Sequence, residues 1–182
     1  MNSGATAIRL KNLTGSDAPA EAGEACPCEI IVEARDRLAA AIQHSPENGE
    51  LSFALGRLEM SLGNYDAALA AYSNAVMRLP KAAAAHSGLA LALQKLGRSN
   101  PASQAALRAI SLDAADPTAL KVLARIHLDA GQHEAAEQAC ELVLRRDPQD
   151  EEAVEMMREV KAQAAMLAEN LYDKKACPAA WR

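Results

Sequence analysis

Four cysteines and four histidines are the residues with which this chain could hold a metal or move electrons. Cys26-Pro27-Cys28 sets two thiols close together, and Cys177-Pro178 echoes it near the other end. Thiols in such segments can reach a metal or a haem. One Cys-x-Cys lacks the paired spacing of a zinc site, so Cys26, Cys28 and Cys177 read first as incidental thiols. Cys140 falls on the apolar face of a helical segment and reads as core. His44, His86, His127 and His133 form no His-Glu-x-x-His or similar ligand pattern, and structural roles are expected for them. There is no Gly-rich phosphate loop, nucleophile elbow or Cys–His pair. The chain is therefore expected not to be an enzyme and to carry no cofactor.

What positions every other side chain is a period. Gly63, Gly97 and Gly131 sit 34 residues apart. Leu55, Leu89 and Leu123 keep that interval, as do Ala68, Ala102 and Ala136. Pro46, Pro80 and Pro148 fall on the same grid, with Ala114 in the skipped place. A fixed period of this length marks an array of helix pairs rather than one globular core. Half of the 182 residues are apolar but only 3% are aromatic, so Ala, Leu and Val must build the core. The net charge of -5 argues against a general nucleic-acid role, because phosphate binding wants a basic footprint. No apolar run is long enough to span a membrane. The first residues lack the charged-then-apolar pattern of a signal peptide, so a cytoplasmic location is expected.

The helices can be placed from apolar spacing and stop signals. Residues 1–27 have no sustained periodicity and are expected to be disordered. Ile30, Ile31, Ala34, Leu38, Ala41 and Ile42 mark one face of a first helix, which ends at His44-Ser45-Pro46. Repeats follow at about 49–82, 83–116 and 117–150. In the first, Leu51, Leu55, Leu58 and Leu62 lie on one helix, Gly63-Asn64 breaks it, and Asn64 is expected to cap the next. Asn100-Pro101 and Asp116-Pro117 read as caps followed by proline in the first turn. Asp150 starts a last helix, 151–171, with Glu151 and Glu152 in its favoured first turn. Residues 172–182, which include Trp181, are expected to form a flexible tail.

These residues resemble the tetratricopeptide repeat (TPR) family over about residues 29–170. Leu55-Gly56, Gly63, Ala68, Tyr72, Ala75 and Pro80 match its pattern in the first repeat. Leu89-Ala90, Gly97, Ala102 and Ala109 match in the second. Leu123-Ala124, Gly131, Ala136 and Pro148 match in the third. The resemblance implies an all-α, right-handed α-solenoid of three helix-turn-helix repeats, with a preceding half repeat and a C-terminal capping helix. Gly56, Ala90 and Ala124 then lie where paired helices approach most closely, and a larger side chain there costs about 1–3 kcal/mol. Gly49, in contrast, is expected at an exposed helix start. Ala106 replaces the usual aromatic of the second helix, and Cys140 is a substitution of tolerable size. The family often puts Trp and Tyr on the first helix; here those places hold Ser52, His86 and Leu120, then Glu59, Leu93 and His127, which suggests a looser, Ala-filled array.

The resemblance also implies a groove lined by the first helix of each pair. Carried onto this chain, Phe53, Met60, Leu91 and Leu128 become apolar contacts, and Arg57, Lys95, Lys121 and Arg125 become anchors for an acidic segment or a terminal carboxylate. Lys121 and Arg125, four apart, share a helix face. Gly88 and Met156 fall among the lining positions, and Glu152, Glu155 and Glu159 on the last helix would repel an acidic ligand and set its direction. Phe53 and Gly88 stand where the family's chaperone clamp has Lys and Asn, so chaperone tails are not expected as ligands. The expected function is a protein-binding scaffold or adaptor that takes a peptide or helix, an acidic one among the candidates, with no nucleic acid and no membrane insertion. Two alternatives remain: an accessory TPR module of a larger bacterial enzyme or secretion assembly, and a metal- or haem-binding protein acting through the Cys-Pro motifs.

Overall fold

The computed structural model describes residues 27–176, with side chains from 30 to 167. Within them the chain is all helical: α1 (Pro27–His44), α2 (Gly49–Ser61), α3 (Tyr65–Arg78), α4 (Ala83–Lys95), α5 (Ser99–Leu112), α6 (Pro117–Asp129), α7 (His133–Arg146) and α8 (Glu151–Ala176). The pairs α2–α3, α4–α5 and α6–α7 are hairpins stacked in order, with α1 before them and α8 after. Helices α2, α4, α6 and α8 also touch in sequence, so they form one layer and present one continuous face.

The hairpin turns follow from the periodic glycines. Gly63, Gly97 and Gly131 have φ of +76°, +72° and +72°, the left-handed region that glycine enters without steric cost. Each turn closes the same way. The Gly63 N–H reaches Met60 O at 3.1 Å and the Asn64 N–H reaches Glu59 O at 2.9 Å. Gly97 and Arg98, then Gly131 and Gln132, repeat these two bonds, the paired closure of a Schellman motif. The next place on the grid is Ala165, and there α8 continues. It runs to Ala176, beyond the boundary expected at 171, because no Gly or Pro interrupts it before Pro178. Residues 1–26 and 177–182, Trp181 among them, lie outside the described residues.

Capping obeys the same period, but on one helix type only. Asn48 Oδ1 accepts from Glu50 N at 3.0 Å, Asp116 Oδ1 from Thr118 N at 2.9 Å, and Asp150 Oδ1 from Ala153 N at 2.9 Å. Ala82 holds the fourth such place, with no side-chain cap. The expected Asn64 cap is not made; its amide donates instead to Glu59 Oε2 at 2.8 Å. Nor does Asn100 cap α5, which already begins at Ser99.

Packing is matched in volume from repeat to repeat. Tyr72, 3% exposed, lies between Gly56 and Gly88, and a Cβ added at either glycine would come within 2.8 Å or 2.6 Å of its ring. In the next repeat those three places hold Ala106, Ala90 and Val122; in the third they hold Cys140, Ala124 and Met156. All six of these are buried to 2% or less. Where the outer helix offers a small side chain, the neighbouring inner helix offers a larger one, so the array is filled rather than loose. Gly49 also departs from expectation. It is buried, and a Cβ there would lie 2.7 Å from Leu79 Cγ and 2.8 Å from Arg78 Cβ.

Candidate functional site: the face of the inner helices

The face made by α2, α4, α6 and α8 carries most of the residues singled out above. Phe53 is half-buried and leans on Tyr72, with ring centroids 5.8 Å apart and planes at 54°. Met60 packs against the same cluster of Ala68, Tyr72 and Ala92. Arg57 stands exposed beside them, close enough for its charge to act on the Tyr72 hydroxyl. Burial pushes that phenol above its ordinary value, and Arg57 opposes the shift. The Tyr72 ring fills the space between Gly56 and Gly88, and both glycines are buried against it.

Further along, Leu91, Lys95 and Lys121 meet. With Gln94, Thr118, Val122 and Glu152 they enclose a cavity of about 180 Å³. Leu91 is half-buried against the core and Lys95 is exposed. Neither Lys95 nor Arg57 has an ion-pair partner among the described residues. Lys121 and Arg125 differ. The Lys121 ammonium lies 3.1 Å from Asp150 Oδ2 and 2.8 Å from Glu152 Oε2. Arg125 Nη1 lies 2.7 Å from Glu159 Oε2. Burial by itself would lower the Lys121 pKa, but hydrogen bonds to Glu152 and Asp150 outweigh it and hold the ammonium above its ordinary value. Asp150 is held below the usual carboxylate range, first by the Ala153 N–H and then by Lys121.

These contacts change the reading of α8. Its acids were expected to stand in the groove as a repelling end; Glu152 and Glu159 instead neutralise the two cations nearest to them. The signal was present in the sequence, since Arg125 and Glu159 are one period apart and the inner helices stand side by side. Leu128 also moves out of the groove. It is 3% exposed and packs with Ala136 and Val160 beneath α8. Met156, at 2%, belongs to the core with Ala124 and Cys140. Of the eight candidate residues, Phe53, Arg57, Met60, Leu91, Lys95, Lys121 and Arg125 remain on the open face.

Among the described side chains the one thiol is that of Cys140, and it is buried. Burial raises the Cys140 pKa, which disfavours the thiolate. Cys26, Cys177 and the side chain of Cys28 lie outside the described residues, and among the described ones no three His, Cys, Asp or Glu are grouped to hold a metal. No described helix is long and apolar enough to cross a membrane.

Helical hairpins closed at a periodic glycine and stacked through small residues define a TPR-type α-solenoid. Comparison with known families agrees: residues 56–97 match a TPR repeat model, and residues 31–73 and 87–151 match tetratricopeptide repeat models. The chain belongs to the tetratricopeptide repeat family. Among solved structures, MamA is similar at 20% identity and a TM-score of 0.62, over 78% of this chain and 93% of that one. A tetratricopeptide repeat protein from Parabacteroides merdae shows 19% identity and a TM-score of 0.64, over 78% of this chain and 57% of that one. The first TPR of Spaghetti (RPAP3), bound to the HSP90 peptide SRMEEVD, shows 20% identity and a TM-score of 0.60, over 64% and 93%. At such identities the likeness is one of fold. No curated protein matches the chain.

Proposed function

We propose that this protein is an interaction scaffold that receives an extended, acidic, partly apolar segment of a partner protein along α2, α4 and α6. One observation carries the reading: Lys121 and Arg125 already hold carboxylates at 2.7–3.1 Å, while Arg57 and Lys95 on the same face hold none. Phe53, Met60 and Leu91 supply apolar contact between these charges, in the way peptides are read by pockets for alternate side chains. The Spaghetti domain, with its peptide SRMEEVD, shows an acidic peptide bound to a related array. Phe53 and Gly88 make this groove different in detail, so the ligand is read as an acidic segment rather than a chaperone tail.

The test is fluorescence anisotropy with a short dye-labelled peptide of alternating Asp and Leu, against a Lys–Leu control. The Asp–Leu peptide should bind, should weaken with salt, and should lose at least about tenfold in affinity when Arg57→Glu and Lys95→Glu are combined. Equal binding of both peptides, or no effect of the charge reversals, would refute the reading.

A further inference from the structure

Lys121 is held by two carboxylates at the start of α8, Asp150 in the cap and Glu152 in the first turn, and the two are unlike. Asp150 is 17% exposed and fixed, because its second oxygen caps α8 by accepting Ala153 N at 2.9 Å. Glu152 is 59% exposed, and its carboxylate has no polar partner among the described residues other than the Lys121 ammonium at 2.8 Å. It also walls the cavity of about 180 Å³ beside Leu91, Lys95 and Thr118. The protein thus places a loosely held carboxylate of its own on a cation of its own groove.

We propose that Glu152 is an intramolecular stand-in for a partner's carboxylate, occupying the Lys121 position until an acidic group displaces it. The inference rests on the acidic-segment reading above. Exchange is easy for physical reasons. Glu152 is the exposed end of the pair, 59% against 22% for Lys121, so its carboxylate can swing into water at small cost. Lys121 keeps Asp150 throughout and is never left bare. Helix α8 stays docked through buried Ala153, Met156 and Val160. The consequence is selectivity: a weakly acidic segment competes poorly with a carboxylate already in place, and a strongly acidic one succeeds.

The experiment compares the Asp–Leu peptide on the full chain, on Glu152→Gln and on Glu155→Gln. Glu155 is the control because it removes the same charge from the same helix, yet it is 72% exposed and among the described residues pairs only with Arg158, at 3.4 Å. Glu152→Gln should tighten binding about fivefold, the worth of one exposed charge pair, while Glu155→Gln changes it by less than about twofold. Thermal melts of both variants should match the parent, and Glu152→Ala repeats the test if the glutamine variant melts early. Binding only after Glu152 is replaced also supports the proposal. Equal shifts in the two variants, or no gain in Glu152→Gln while the parent binds, would overturn it and leave the acidic-segment reading standing. Failure of every variant to bind would overturn that reading and this proposal with it.

Discussion

The volume match around Tyr72 makes a demanding prediction. In the first repeat the ring fills the space between two glycines; in the second, Ala106 sits between Ala90 and Val122. Gly88→Val brings a Cβ to 2.6 Å from Tyr72 Cε1 and 2.8 Å from Cζ, contacts that a rigid, 3% exposed ring cannot relieve alone. Overpacking of this kind costs about 1–3 kcal/mol, against which the better helix propensity of Val returns only a few tenths. Tyr72→Ala empties the same space and should cost about 3–5 kcal/mol. The double variant copies the pairing of the second repeat, with Val filling what Tyr leaves. Its loss should therefore fall at least about 1 kcal/mol short of the sum of the single losses. Urea unfolding with an unchanged m-value is the assay. Strict additivity would refute the claim that these three places share one packing volume.

Three further predictions follow from the caps, the ion pairs and the buried glycine. Ala82 has φ -83° and ψ 105°, near the values of Asn48 and Asp116, so Ala82→Asp should add the missing cap. The gain should be about 1 kcal/mol, seen as a rise of about 2–4 °C in the thermal midpoint; no rise would contradict the periodic capping. Asp150 has its folded pKa depressed below 3.8, so its stabilisation is present above that value and fades as pH falls through the folded pKa. The stability gap between the parent and Asp150→Asn should accordingly narrow on acidification below 3.8, and a gap that widens there would be the wrong sign. Gly49→Leu and Gly56→Leu should both destabilise by at least about 1–3 kcal/mol in urea melts. A harmless Gly49→Leu would return that residue to the surface.

The fold was largely legible because its determinants are periodic. Glycines forced into the left-handed region recur at a fixed interval, and so do the small residues at helix crossings. The caps were legible in part. Asp116 and Asp150 are recognisable beside a proline or acidic first turn, while Asn48, on the same grid, has no proline after it to mark it. Asn64 departs from the expected cap because the Schellman closure sets the turn with backbone groups, while its side chain turns back to Glu59. The groove was legible as a face but not as a charge distribution. Single-helix spacing brings Lys121 and Arg125 together, yet their partners come from α8, and only lateral packing of inner helices one period apart joins them. Leu128 shows the remaining limit. It differs from Leu91 not in type but in sitting against α7 and α8, a neighbour relation that a helix pattern alone does not contain.

The central claim is that the inner-helix face is where a partner segment binds. It is tested most directly by backbone NMR of the full chain titrated with the Asp–Leu peptide. The account predicts shift changes concentrated on α2, α4 and α6, at Phe53, Arg57, Leu91, Lys95 and Lys121, with the outer helices α3, α5 and α7 quiet. Changes confined to α3, α5 and α7, or to α1 around Ile30 and Ile31, would contradict it.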